Sequence, residues 1–315
     1  MLVWIARRLL VGLITTFVLI TIIFFLIRLI PGDPAMALLQ AAASPEAIVQ
    51  VRHQMGLDKT ILIQYYNWLK DLFLKGSLGY SFFKKAEVSQ LIIERLPVTF
   101  MVALLGELMA VILGVSIGFI SALRRGSIID TASMSIAILA VSMPSFWLAI
   151  NLIYIFSVNL KILPIAYYIP WSESITECLK HLILPCISLA FLHAAYIARI
   201  MRSSVLEVLN KEYVVTARSK GLTEFKVLGK HVLRNSIRPV ITIIGVNIPL
   251  LIAGTVVIEV VFALPGLGSL LVNSILQRDY TVVQGIMILI AILSSLSSIT
   301  VDILYGVIDP RIQFD

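Results

Sequence analysis

The chain has 315 residues, 59% of them hydrophobic and 14% charged, and its mean hydropathy is +0.98. These values exclude an ordinary soluble domain, so much of its surface must face lipid. A net charge of +7 would suit nucleic acid in a soluble protein, but in a membrane chain basic residues report orientation, and no nucleic-acid partner is expected.

A helix needs about 20 apolar residues to cross a hydrocarbon core of about 30 Å, where no backbone polar group can stay unpaired. Residues 9–27 are the first such window and contain no Asp, Glu, Lys or Arg. Arg7 and Arg8 precede it in the manner of a signal peptide, yet the run exceeds the roughly 7 to 15 apolar residues of a cleaved segment, so an uncleaved anchor is expected. Residues 31–96 then form a long polar segment. Ser44, Pro45 and Glu46 read as an N-cap, a first-turn proline and an acid at the positive helix end, with Ile48, Val51 and Met55 on one face and Gly56 as the stop. Ile61, Leu62, Tyr65, Trp68, Leu69 and Leu72 predict a second helix ending at Gly76, with aromatic residues suited to a membrane interface. The segment serves either as a cap over an opening or as a docking surface for a partner.

The remaining spans follow in order: residues 98–123, whose only charge is Glu107, then 131–160, 181–198, 239–258 and 280–301. Six spans predict an all-α integral membrane protein. Pro144, Pro185 and Pro249 predict kinks, and neither an inverted repeat nor a discontinuous helix is evident, which disfavours a secondary transporter. With the N-terminus inside, cytoplasmic segments hold Arg7, Arg8, Arg124, Arg125, nine Lys or Arg over residues 199–238, and Arg311. The short outer loops hold only Lys161, Lys180 and Arg278. The seven basic residues of 31–96 carry little weight, because segments of about 60 residues or more follow the charge rule poorly. Both termini are therefore expected in the cytoplasm of a cell-membrane protein.

Residues 199–238 are too polar to cross. Residues 211–220 fit a short helix with Gly221 at its C′ position, and Thr223 and Glu224 start a second helix running toward Pro239. Contact with anionic lipid explains part of the charge, at about 1 kcal/mol per cation. A glycine-hinged helix pair, where a short turn would join two spans equally well, suits contact with a partner.

The sequence TARSKGL at Thr216, with Glu212 and Tyr213 before it and HVLRN from His231 after it, resembles the "EAA" loop of binding-protein-dependent ABC importer permeases. The resemblance extends over most of the chain, through PGDP at Pro31, GSLGYS at Gly76, ERLPVTF at Glu94, SMPSFW at Ser142, RSSVLEVL at Arg202, FALPGLGSLL at Phe262, QRDY at Gln277 and DPRI at Asp309. It points to the dipeptide, oligopeptide and nickel branch, and there to the first of two permease subunits. It implies a type I importer transmembrane domain, divided into a first helix (1–30), an external segment (31–96) and a permease core (97–310). It also implies that Glu212, Thr216, Ala217, Arg218, Lys220, Gly221 and Leu222 couple the chain to a cytoplasmic ATPase. The implied partners are a second permease, two ATPase subunits that bind ATP and Mg, an extracytoplasmic binding protein and lipid. The implied cargo is peptide, with nickel or oligosaccharide as alternatives. The chain departs from the broad pattern in having Val215-Thr216-Ala217 for Glu-Ala-Ala and Arg234 near a common proline position.

Within the spans, Glu107, Glu259 and Asp302 are expected to face protein or water, since a charge at the bilayer centre costs at least about 2.5 kcal/mol. Glu107 is either a fixed partner of a neighbouring helix or part of the path. Glu259 anchors or gates the turn from Phe262, and Asp302 reaches interfacial water. Asn151 and Asn247 join them as path candidates, although Asn151, Asn247, Ser142 and His193 read first as interhelical hydrogen-bonding groups. The chain has no phosphate-binding G-x-x-x-x-G-K-[ST] loop, no H-E-x-x-H and no G-x-S-x-G, so no catalytic residue is expected here and ATP hydrolysis belongs to other chains. Cys178, Cys186 and the scattered histidines have no metal-binding spacing.

Overall fold

The computed structural model describes residues 2–29, 31–39, 44–165 and 167–308, with side chains described except at 2–6, 246, 249 and 301–308. The elements are α1 (Leu2–Leu29), α2 (Pro34–Leu39), α3 (Pro45–Gln54), α4 (Ile61–Lys75), the hairpin β1 (Tyr80–Ser81) and β2 (Ala86–Glu87), α5 (Val88–Leu123), α6 (Ile128–Ser142) and α7 (Ser145–Leu152). After α7 the chain continues as a π-helix, Ile153–Asn159. Next come α8 (Ile175–Leu209), α9 (Glu212–Ser219) and α10 (Glu224–Lys226) with a π-helical extension, Val227–Leu233. Finally come α11 (Arg234–Ser236), α12 (Arg238–Val261), α13 (Leu267–Gln277) and α14 (Tyr280–Ile308).

Two compact units emerge, Met1–Thr99 with Pro265–Leu296 and Phe100–Leu264 with Ser297–Asp315. The first helix and most of residues 31–96 thus share a unit with the region after residue 264, a grouping different from the division at 30 and 96. In this unit the Ser44 hydroxyl accepts from Ala47 N at 3.3 Å and caps α3. Gly76 closes α4 at φ +62°, a left-handed conformation that costs a glycine little. Ile27, Val88, Ile92, Leu267, Leu271 and Ile286 form the core, and Thr99 Oγ1 accepts from Leu267 N at 2.8 Å, satisfying the first turn of α13. The aromatic face of α4 packs on α1, with the Tyr65 ring 5.0 Å from Phe24 and the Trp68 ring 5.1 Å from it.

In the other unit α5 and α8 meet through small residues. A Cβ at Gly114 would lie 2.7 Å from Ile197 Cβ, and one at Gly118 would collide with the Ala198 carbonyl. This Gly-x-x-x-Gly seam lets two backbones approach as lipid-embedded helices do when dispersion, not hydrophobic burial, drives packing. α8 is far longer than its expected window, because Ser174 caps it early by accepting from Glu177 N at 3.3 Å.

Four helices are long and apolar enough to cross a membrane unbroken: 7–29, 88–123, 175–209 and 280–300. The other two expected spans are bent pairs, by 107° between residues 142 and 145 and by 63° between 245 and 250. Both correct the expectation that no discontinuous helix is present. At the first break Met143 takes an extended conformation (φ −91°, ψ 127°), as a residue before proline prefers, and Pro144 starts a new helix. At the second, Pro249 has no N–H to offer the Gly245 carbonyl, which instead accepts from the Ser297 hydroxyl at 3.4 Å. α5 also begins before its expected window, carrying Pro97 within it.

Candidate functional site

α8 ends at Leu209, and Lys211 Nζ returns to Glu207 Oε1 at 2.8 Å across the helix end, which holds the Lys211 ammonium above its ordinary range. α9 follows, and its two faces differ. Val214 and Ala217 are buried among Val205, Val208, Val227 and Val232, so α9 is seated on the chain's own core. Glu212, Thr216, Arg218, Lys220, Gly221 and Leu222 are exposed. Of the residues implied to couple, Ala217 alone points inward, and its place in the site is to seat the helix.

Gly221 sits at φ +76° with open space where a Cβ would be, so its requirement is conformational and not steric. The turn it makes brings Arg218 and Glu224 together. Arg218 Nε and Nη2 donate to the two carboxylate oxygens at 3.2 and 2.7 Å, a bidentate bridge that closes the hinge. The bridge holds the Glu224 carboxyl below the usual carboxylate range and raises the Arg218 guanidinium. Thr216 Oγ1 donates to Glu212 O at 2.9 Å, within its own helix. Sequence reasoning missed the apolar part of this surface: Tyr213, Val215 and Phe225 are exposed, Phe225 at 88%. The available signal was an aromatic residue between Glu224 and Lys226 in a loop otherwise dominated by cations.

A buried anchor also escaped the sequence. Arg202 on α8 donates to both oxygens of Asp130 at 2.6 and 2.8 Å, while Ser121 Oγ and Gly126 N donate to the same carboxylate at 2.5 and 2.9 Å. Asp130 is buried, and the network ties the α5–α6 turn to α8 two turns before the loop begins.

The path candidates are not gathered into one cluster. Glu107 on α5 faces His193 on α8, with Oε2 and Nδ1 3.3 Å apart. The His193 side chain and both Glu107 carboxylate oxygens are buried, and neither those oxygens nor Nδ1 meets hydrogen-bond geometry with the protein. Glu259 is fully buried on α12, and its carbonyl accepts from Leu264 N at 2.8 Å, fixing the turn that begins at Phe262. Asn151 donates within its own helix to Trp147 O at 2.7 Å, and Ser142 Oγ to Ile138 O at 3.1 Å; neither forms the interhelical bond expected of it. Asn247 is half-buried on α12. The Asp302 side chain, Arg311 and the DPRI motif lie outside the described residues.

Known structures share this architecture. The fold resembles the transmembrane part of the MetNI methionine ABC transporter in an inward-facing form, with a TM-score of 0.56 at 17% identity over 70% of this chain and 97% of that one. An amino acid ABC transporter crystallised with histidines matches at a TM-score of 0.50 and 18% identity, over 71% and 95% of the two chains. The fold is that of a type I ABC importer transmembrane domain in a multi-pass membrane protein. A family profile described as "Binding-protein-dependent transport system inner membrane component" matches residues 114–314, and one for the N-terminal part of such membrane components matches residues 1–103. The chain belongs to the family of binding-protein-dependent transport system inner membrane components. A putative peptide transport system permease protein of Brucella abortus (strain 2308) is 46% identical over 93% of each chain. The dipeptide transport system permease protein DppB of Escherichia coli (strain K12) is 36% identical over 99% of each.

Proposed function

We propose that this chain is the permease subunit of an ATP-driven importer that passes di- or oligopeptides handed over by an extracytoplasmic binding protein. The observation that carries the cargo is full-length similarity to proteins named for peptide transport, including 46% identity over 93% of both chains. It favours peptide over nickel or oligosaccharide. Both termini are cytoplasmic in this reading, and the chain lies in the cell membrane with a second, homologous permease. The chain itself catalyses no reaction. ATP and Mg are bound and used by a pair of ATPase subunits on the cytoplasmic side.

The surface made by Tyr213, Val215, Arg218, Leu222 and Phe225 is where those ATPases dock. Val214 and Ala217 anchor its inner side, so a push on α9 reaches the α5–α8 core without first deforming the loop. Purification from native membranes in mild detergent should recover ATPase subunits and a second permease, and Arg218→Glu should lose the ATPases while leaving the chain inserted. Uptake of labelled dipeptide by cells carrying the wild-type chain, and its absence with Gly221→Pro, tests the cargo and the hinge together. Full uptake by both variants would remove the coupling assignment.

A further inference from the structure

α4 runs antiparallel to α1 and descends along it. Near the start of α4, Arg28 Nε donates to Gln64 Oε1 at 3.1 Å. Next, Tyr65 and Thr21 share a hydroxyl hydrogen bond of 2.8 Å, and Trp68 lies against Phe24. Near the end of α4, Phe73 reaches Phe17, with ring centroids 6.5 Å apart. From residue 28 to residue 17 the α1 axis descends about 16 Å, at about 1.5 Å per residue. α14 gives the same depth independently: Trp68 and Leu72 pack against Ile288 and Ala291, and residue 291 is about 16 Å along the helix from Tyr280. The charge-free part of α1 between Arg8 and Arg28 is only about 28 Å long, so a core of about 30 Å must use all of it. Phe17 therefore lies inside hydrocarbon, and Phe73 lies beside it.

The two arcs of α4 at this depth are unlike. Beyond the α1-facing Tyr65, Trp68 and Leu72, a second stripe of Leu62, Tyr66 and Phe73 is 68%, 66% and 65% exposed. It continues the exposed apolar face of α1 at Leu13 and Phe17. The opposite arc carries Asn67, Lys70, Asp71 and Lys75, with Lys75 Nζ 2.8 Å from Asp71 Oδ1.

We propose that α4 is embedded in the outer half of the bilayer, its Leu62, Tyr66 and Phe73 stripe against lipid acyl chains and its Asn67, Lys70, Asp71 and Lys75 arc against water. This rests on the reading above that residues 31–96 lie on the outer side. Lipid is favoured over another helix because α4 contains no Gly, Ala, Ser or Thr, the residues on which close helix contacts in membranes are built. A partner arriving from the aqueous side does not reach this depth. The exposed Lys70 calls for water on that side, since ionised groups at such depth face a water-filled space or a partner, and Lys75 and Asp71 already have each other.

The test is cysteine labelling of the assembled transporter in intact cells with a membrane-impermeant maleimide, in a background with Cys178 and Cys186 replaced by alanine. Val49→Cys on α3 should label readily. Tyr66→Cys and Phe73→Cys should label at least about tenfold more slowly, because a thiol in hydrocarbon does not ionise to the reactive thiolate. Lys75→Cys should label readily although it lies beyond Phe73 along the helix, an order that depth alone would reverse. A photoreactive phenylalanine at Tyr66 should yield phospholipid adducts. Phe73→Cys labelling as fast as Lys75→Cys, or cross-linking of position 66 to another polypeptide, would overturn the proposal. Should Val49→Cys label only after permeabilisation, the orientation is wrong, and the ratio of Phe73→Cys to Val49→Cys in permeabilised cells still decides insertion.

Discussion

The Glu107–His193 pair can be resolved by separating stability from transport. His193→Leu leaves a buried carboxyl facing apolar groups and should cost about 1–3 kcal/mol in thermal or denaturant unfolding of the detergent-solubilised protein. Adding Glu107→Leu should restore stability, because replacing both members of a buried polar pair is often neutral. If peptide uptake returns with it, the pair is structural; if stability returns alone, Glu107 belongs to the path. Gly118→Leu should destabilise by about 1–3 kcal/mol, since the Ala198 backbone cannot move aside as a flexible side chain would. Arg202→Lys should lower the thermal midpoint, because lysine cannot reproduce the two-pronged bond to Asp130. At the hinge, Glu224 has a depressed pKa. Its contribution is therefore present above the ordinary carboxylate range and lost as pH falls through the lower folded value. Closure of the α9–α10 turn, followed by spin labels at Ser219 and Lys226, should weaken on acidification in the wild type and show no such slope in Glu224→Gln.

At the scale of elements, what the sequence discloses depends on whether the signal is local. α3 and α4 start and stop near their expected positions because Ser44, Pro45 and Gly76 act on their own neighbours. The hinge at Gly221 is legible for the same reason. Direction is not: an apolar count over residues 131–160 passes as one span, although the extended Met143 and Pro144 turn the chain by 107°. α5 hides its start because Glu94 and Arg95 interrupt the apolar run while the helix continues through them. The Asp130 network was illegible because its donors come from separated stretches, and Phe225 because an apolar residue is ordinarily assigned to a core. Ser297→Ala probes the second break, since it leaves the Gly245 carbonyl without its side-chain donor. It should cost about 1 kcal/mol in thermal unfolding, and Pro249→Ala, which restores a backbone donor, should recover it.

For the molecule as a whole, the broken spans and the unbroken α8 have different parts. The α6, α7 and α12 segments all pack against α8, which alone among them runs from Ile175 to Leu209 without a break before entering the exposed loop. Replacing Pro185 inside it by alanine supplies a missing backbone bond, and interior proline costs about 3 kcal/mol. The variant should melt at a higher temperature, while labelled-peptide uptake per ATP hydrolysed should fall if α8 must flex there. At about 1.5 Å per residue α8 is about 52 Å long. It is in effect a lever: held rigid, a tilt of about 5° at the loop end sweeps the far end through about 4–5 Å, close to the rise of a full helical turn. A displacement of less than one side-chain width where Val214 and Ala217 grip the core would, in a rigid α8, be magnified at the other end of the same helix into a movement on the scale of a peptide backbone, and a helix that flexes at Pro185 would lose that gain.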